Sequence, residues 1–453
     1  MNLAEIGDKT IALAEKSGAT QAEVYAAQAK IVSTYIDDAL PKIGGTVFEF
    51  GIGLKYIIGR RIGFTSSTLA QETPQDVVER AKSLASVSNE DVKFVSLPEP
   101  KKVSDSPKKF YDADSAAADS PYLLEKAMEV VKGALANNVT VPNGSLRTSS
   151  IEYHIKNSLG VDAGSKGTVT FGFFTAKSTN GNTVGEGVQR CWGRQIEAID
   201  FHAIGEKMKS QALSVIKAKA FKENWRDAAA VLAPSEGSEM IDGLVAFAAS
   251  GENVNRRASP WTDKVGEKLA SENLTIVDNG LSDRGLLSGV VDDEGVPTQK
   301  TTILEKGVLQ SYLYDSYNAN QLELASTGNG MRRTARELAG RFSIPSACAG
   351  TTMEVKPGSR SVDDIIGEIK QGLYIEHFAY PLVNPLSGTF SNEIRNARII
   401  KKGELGEPIK HALWVGNLYE SIKGNLLIAS DPEVHDKRVV PTIAFPNTEI
   451  VGQ

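Results

Sequence analysis

Six apolar residues at consecutive even positions, Phe48, Phe50, Ile52, Leu54, Tyr56 and Ile58, constrain this chain more than any other feature. Side chains along a strand alternate between two faces, so a period of two makes 46–58 a strand with one face buried. Gly59-Arg60-Arg61 reads as a turn and 62–65 as the returning strand, which gives a hairpin. Gly51 and Gly53 fall on the odd face, where glycine signals a bulge or a close approach of other backbone.

The rest of the first half alternates helix and strand. Leu3, Ile6, Thr10, Leu13 and Ala14 share one face of a helix over 3–17, which Gly18 stops. Strands are expected at 24–34, 148–156 and 167–178, and helices at 74–85, 122–136 and 196–218. Residues 97–121 carry Pro98, Pro100, Pro107 and Pro121 without periodicity and read as an extended arm or a linker. A boundary near 220–228 divides the chain into an N-terminal α+β domain, 1–224, and a C-terminal strand-rich domain, 225–453. In the second part, 286–291, 301–305 and 311–315 are short strand candidates. Turns at 305–307 and 401–404 suggest hairpins. A helix over 361–370 has Ser361 as its N-cap and Asp364 in its first turn, and 418–422 is a further helical segment. The fold class is α+β, with antiparallel sheet in the C-terminal part. The sequence has no repeat of 20–50 residues.

Composition excludes several classes. At 453 residues, 41% hydrophobic and 23% charged, this is an ordinary globular chain of two or three domains. Its 50 basic and 56 acidic residues leave a net charge of -6, so the basic footprint of a nucleic-acid binder is absent. The N-terminus lacks the basic and apolar regions of a signal peptide, and no apolar run reaches a spanning length, so no membrane attachment is expected. Two cysteines far apart, Cys191 and Cys348, fit cytoplasmic residence.

The stretch 234–255 carries the chemical question. Met240, Ile241, Leu244, Val245 and Ala248 recur at helical spacing. Glu236, Glu239 and Asp242 lie three apart, and the last two share a face. Three acids suit a hard cation, whereas acids near a helix start are also favoured by its dipole. The five histidines, His154, His202, His377, His411 and His435, form no short ligand pair. Alternation places Glu376 and His377 on opposite faces of a strand, so they are not expected to act together. There is no G-x-S-x-G elbow, no P-loop and no complete dinucleotide fingerprint. Cys191 and Cys348 read as small core fillers, with Cys191 beside Trp192 as a reactive-thiol alternative. Asp292-Asp293-Glu294-Gly295 is an acidic turn without a calcium loop's ligand pattern.

Motifs in a fixed order carry a resemblance. They are 18–24 (GATQAEV), 51–55 (GIGLK), 157–160 (NSLG), 292–298 (DDEGVPT), 307–313 (GVLQSYL), 326–330 (STGNG) with Arg332-Arg333, and the terminal strand 441–452. In this order they resemble the TldD/PmbA family of zinc metalloproteases, also labelled modulators of DNA gyrase, over nearly the whole chain. The active TldD-type members carry H-E-x-x-x-H on the helix that 234–248 resembles. The matching positions here are Gly243, Leu244 and Ala248. The resemblance also implies a metal-site cysteine before the strand at 439–441. Residues 430–436 contain none, and His435 is the single candidate replacement.

The chain therefore resembles the PmbA (TldE) branch. The resemblance implies no catalytic residue and no metal or cofactor in this chain, with zinc in a TldD-type partner subunit. It implies a homodimer when the chain is alone and a heteromer with that partner, acting on small or unfolded polypeptides. Any gyrase link would be indirect, without DNA binding. Two alternatives stand beside it. One is an independent metallopeptidase using Glu236, Glu239, Asp242 or His435 at an atypical metal site. The other is a homodimeric peptide-binding scaffold.

Overall fold

The computed structural model describes residues 2–103, 109–181, 183–332 and 339–452. Its first layer is an antiparallel sheet of long strands: β1 (Gln21–Asp37), β2 (Leu40–Ile58), β3 (Arg61–Ser67), β4 (Val139–Asn157), β5 (Asp162–Asn180) and β6 (Thr183–Gly193). The spatial order is β3-β2-β1-β4-β5-β6. The expected hairpin forms, with Ile58 opposite Arg61.

The even face of β2 meets a helical layer. Ile52, Leu54 and Tyr56 pack with Val24 and Ala26 beneath helices Leu3–Lys16 and Pro74–Val87. Asn2 caps the first helix, and Gly18, at φ +103, ends it as its position suggested. Helices Ser120–Ala134 and Phe201–Val215 cover the other half of the sheet. The expected helix over 196–218 divides because Asp200 caps a new start by accepting from the Ala203 N–H. The apolar stripe is not buried throughout, since Phe48 at its first position is 76% exposed.

The odd face is buried as well, where one covered face was expected. Tyr25, Ala27 and Ile155 pack against Val291 and Phe342 from the second half of the chain. A Cβ on Gly51 would overlap the Phe342 ring, and one on Gly53 would overlap the Phe342 carbonyl oxygen. Of the two sequence readings for these glycines, close approach is what occurs.

Strand β6 was missed at the sequence level. Its apolar alternation is broken by Gly185 and Gly187, whose missing side chains admit the backbone of helix Phe201–Val215 at Ala212 and Met208. The 97–121 arm lies against the first sheet, with Leu97 and Phe110 buried and the Asn157 amide donating to the Pro98 carbonyl. It contains a short helix, Ala113–Ala117; residues 104–108 of it lie outside the described residues.

The remaining strands are built mainly from residues beyond 219. Gln371–Phe378 pairs in parallel with Asn224–Leu232 and antiparallel with Thr389–Lys401. Ile443–Gly452 and Ala412–Asn417 complete the circuit, so five strands close a ring. Its interior is filled by Trp414, Phe378, Phe390 and Phe445, with the Phe390 and Trp414 ring centroids 4.2 Å apart. A second six-stranded sheet includes Ile276–Asn279, Met353–Val355, Glu433–His435 and Arg438–Val440. The hairpins expected at 305–307 and 401–404 form. The strands expected at 286–291 and 311–315 do not. Val291 and Leu313 make isolated bridges only: Asp292 gathers the N–H groups of Glu294, Val296 and Gly330 into a compact turn after 291, and in 311–315 the Leu313 N–H donates to the Ala249 carbonyl and the Tyr314 N–H to the Thr327 hydroxyl. Helix Val362–Glu368 carries the expected Ser361 cap, reciprocated by Asp364.

Candidate functional site

The helix that opens at Pro234 is shorter than the 234–255 stretch. It runs Pro234–Ala248, and a separate turn, Gly251–Asn255, follows. The Ser259 hydroxyl donates to the Ala248 carbonyl, and the Gly251 N–H donates to the Leu313 carbonyl. Both interactions take over groups that would otherwise continue the helix.

The N-terminal half of this helix faces a cleft shared with the first sheet. One cavity there measures about 500 Å³. On one wall stand Phe171 and Trp192 of β5 and β6, ring centroids 4.2 Å apart, and Arg190. Opposite them are Glu236, Glu239, His435 and Arg438.

The structure divides the three acids of the helix. Glu236 is buried, accepts from the Phe378 N–H at 3.0 Å, and stands 3.7 Å from His377 Nδ1. Glu239 and Asp242 do share a face, and both turn to Arg438, at 2.7 and 3.8 Å. Lys437 adds a second cation 3.4 Å from Asp242. Burial disfavours the Arg438 charge, but Asp242 and Glu239 outweigh it and raise its pKa. Burial pushes the neighbouring Asp436 carboxyl upward.

His435 lies in the strand Glu433–His435, where a polar loop was expected. It sits 3.3 Å from Glu433, whose carboxyl it holds below the ordinary range. The expectation for Glu376 and His377 is corrected. The ladder shifts register on both sides of His377, and the bulge turns both residues toward one cavity. Glu376 accepts from the Asn396 amide at 2.8 Å, and burial raises its pKa. His411 lines a neighbouring cavity with His377 and pairs with Glu393, whereas His154 pairs with Asp162 and His202 is exposed on helix Phe201–Val215.

Gly243, Leu244 and Ala248 do not form a ligand face. Leu244 and Ala248 are fully buried in the core of the second half. Gly243 is exposed on the other side, where a Cβ would stand 2.9 Å from Val383. Among the described residues, no group of three or more His, Cys, Asp or Glu is placed to hold a metal. Both thiols are buried, which pushes Cys191 up to about 12 and Cys348 to about 11 and leaves neither reactive as a nucleophile.

Comparison with known proteins places this geometry. The model for the PmbA/TldA metallopeptidase C-terminal domain matches residues 226–452, and that for PmbA/TldA metallopeptidase domain 1 matches 22–85. The chain belongs to the PmbA/TldA metallopeptidase family. An uncharacterised protein of Methanocaldococcus jannaschii is 30% identical over 443 residues, covering 97% of this chain and 98% of its own. A metalloprotease TldD homolog of Haemophilus influenzae is 31% identical over 195 residues, 43% of this chain and 39% of that protein. The crystal structure of TldE from Thermococcus kodakarensis superposes with a TM-score of 0.89 at 25% identity, over 99% of this chain and all of that one.

A catalytic zinc needs three protein ligands and an open position. Gly243, Leu244 and Ala248, the positions that the sequence resemblance matched to a metal motif, do not fit it, because none of the three side chains has a ligating atom. Glu239 and Asp242 are committed to Arg438 and Lys437, and Glu236 to the Phe378 N–H. Sequence reasoning missed Arg438, although an arginine three residues past His435 was in view. What could not be seen was its return to helix Pro234–Ala248.

Proposed function

We propose that this chain is the non-catalytic, PmbA/TldE-type subunit of a two-chain metalloprotease acting on small or unfolded polypeptides. The single observation that carries the reading is the position equivalent to the family's metal motif. The helix is kept, its ligand positions hold Gly243, Leu244 and Ala248, and an arginine occupies its acids. The likeness to a TldE over the whole chain supports the same branch. The cleft between β6 and helix Pro234–Ala248 then shapes the chamber and holds extended peptide. A TldD-type partner supplies the zinc, and alone the chain forms a homodimer. No DNA or membrane contact belongs to this role. No helix among the described residues is long and apolar enough to cross a membrane, and cytoplasmic residence is part of the proposal.

The test is affinity capture from the native cell followed by mass spectrometry. Recovery of a TldD-type chain in near-equal amount is expected. Recovery of the homodimer alone favours the scaffold alternative. About one tightly held zinc per chain, without a partner, favours the independent metallopeptidase.

A further inference from the structure

The cleft between β6 and helix Pro234–Ala248 has two unlike walls. On the sheet side, Phe171, Phe173 and Trp192 are half-buried. Strand register brings them together: Phe171 lies opposite Trp192, and Phe173 opposite Arg190. The Arg190 guanidinium sits over the Phe173 ring, 5.6 Å from its centroid. These side chains occupy the face of β6 away from helix Phe201–Val215, which packs on Gly185 and Gly187 instead. Across the cavity, on the loop after strand Gln371–Phe378, Tyr380 is 74% exposed and Leu382 60% exposed. Large apolar side chains left in water on both walls of one concavity mark a recognition site. The cavity's volume of about 500 Å³ is that of an ordinary ligand site, lined by aromatics with a few polar groups.

The polar part of the lining sets the chemistry beside the aromatic wall. A smaller cavity of about 100 Å³ adjoins the first and shares Arg190, Glu236, His377 and His435 with it. Together they are lined by six carboxylates, Glu236, Glu239 and Glu376 among them, against Arg190, Lys207 and Arg438. Lys207 and Arg438 already pair with Glu433 and Glu239. His377 and His435 face Glu236 and Glu433, and even with both protonated the acids stay in excess.

We infer that this end of the cleft takes an aromatic side chain of an extended polypeptide, with a basic residue next to it in the same segment. The inference rests on the proposed role of the cleft in holding peptide, and it names what the cleft selects. An aromatic ring can join the Phe171–Trp192 pair in offset or edge-on geometry, which adds to the gain from burial alone. Arg190, already over one ring, can stack on a second. Successive side chains of an extended segment point to opposite sides. An aromatic residue turned to the sheet wall therefore turns its neighbour to the helix wall, where Glu236 and Glu239 stand.

Trp192 is the reporter for the test, because Trp225, Trp261 and Trp414 are buried. Acrylamide quenching of the full chain should come from Trp192, and Trp192→Phe should remove it. The capped pentapeptide Ala-Ala-Phe-Lys-Ala should saturate and shield Trp192. Replacing its phenylalanine by leucine should weaken binding, and by alanine at least about tenfold. Exchanging its lysine for glutamate should weaken binding severalfold, and less so in high salt. By calorimetry, Trp192→Ala should cost the phenylalanine peptide at least about tenfold and leave the alanine peptide unchanged. Tyr380→Ala, at an exposed site, should show the same selectivity, and it decides if Trp192→Ala does not fold. Equal binding of the phenylalanine and alanine peptides, or an unchanged phenylalanine peptide in Trp192→Ala, would overturn the subsite while the peptide-holding cleft stands. Binding of no peptide would overturn both. A glutamate peptide as tight as the lysine peptide would overturn the basic neighbour. Trp192 already shielded in the free chain would also overturn the inference, because a second copy then covers the wall.

Discussion

Single residues hold the two halves of this chain together, and two of them make sharp tests. Gly51 leaves room for the Phe342 ring on the odd face of β2. Gly51→Ala should lower the unfolding free energy by about 1–3 kcal/mol, an overpacking cost. In a Phe342→Ala background the same change should cost almost nothing, since the two sites share one contact. Urea midpoints of the four chains measure this, and strict additivity would contradict it. Asp315 supplies a pH test. Burial, then the Glu294 charge, raises its folded pKa to about 6 from an ordinary 3.8. The folded chain thus binds more protons than the unfolded one between those values, so this group's contribution falls as pH rises from about 4 to about 6. Asp315→Asn keeps a capping side chain for Ser316–Asn320 and should remove that part of the slope. Melting temperatures of both chains across pH 4–7 decide it, and parallel curves would contradict the assignment.

At the level of elements, the sequence was most informative where a pattern was complete on one segment. Ile52, Leu54 and Tyr56 announced their strand, and Ser361 with Asp364 announced its helix. Strand β6 was hidden because Gly185 and Gly187 replace the apolar residues that would have marked it. The shared cavity of Glu376 and His377 was illegible for another reason. A bulge in the pairing with Thr389–Lys401 breaks the alternation on both sides of His377, and a period-two pattern carries no mark of it. The 97–121 arm showed no periodicity because Leu97 and Phe110 anchor it singly rather than as a face.

Helix Pro234–Ala248 shows both limits together. Its apolar face and the shared face of Glu239 and Asp242 could be read, but not the arginine that meets them. Arg438→Ala should cost about 1–3 kcal/mol, because it removes a buried guanidinium hydrogen-bonded to Glu239, which is exposed, and paired with Asp242, which is half-buried. Adding Asp242→Asn should recover part of that loss. A change of under about 0.5 kcal/mol, the size of an ordinary surface substitution, would show the pair is ornamental. Rebuilding the family motif with Gly243→His, Leu244→Glu and Ala248→His should give no peptidase activity. Leu244 and Ala248 are fully buried in the core, so a carboxylate and an imidazole enter an apolar site, and Gly243→His meets Val383. Chelator-sensitive turnover of a fluorogenic peptide by the triple variant would show that few steps separate this chain from catalysis.

For the whole molecule, the family membership explains the architecture, and the proposed role explains the changed helix. A chamber shared between two chains requires a large interface, and obligate interfaces commonly bury more than about 2,000 Å². Sedimentation at micromolar concentration should therefore find a homodimer of the isolated chain and a heteromer once its TldD-type partner is added. The most direct measurement follows peptide turnover and zinc content together, in this chain alone and after mixing with that partner. The account predicts no turnover and no stoichiometric zinc alone, and chelator-sensitive turnover with zinc in the mixture. Chelator-sensitive turnover by the isolated chain, with about one zinc per chain in the order expected of a catalytic site, would contradict it.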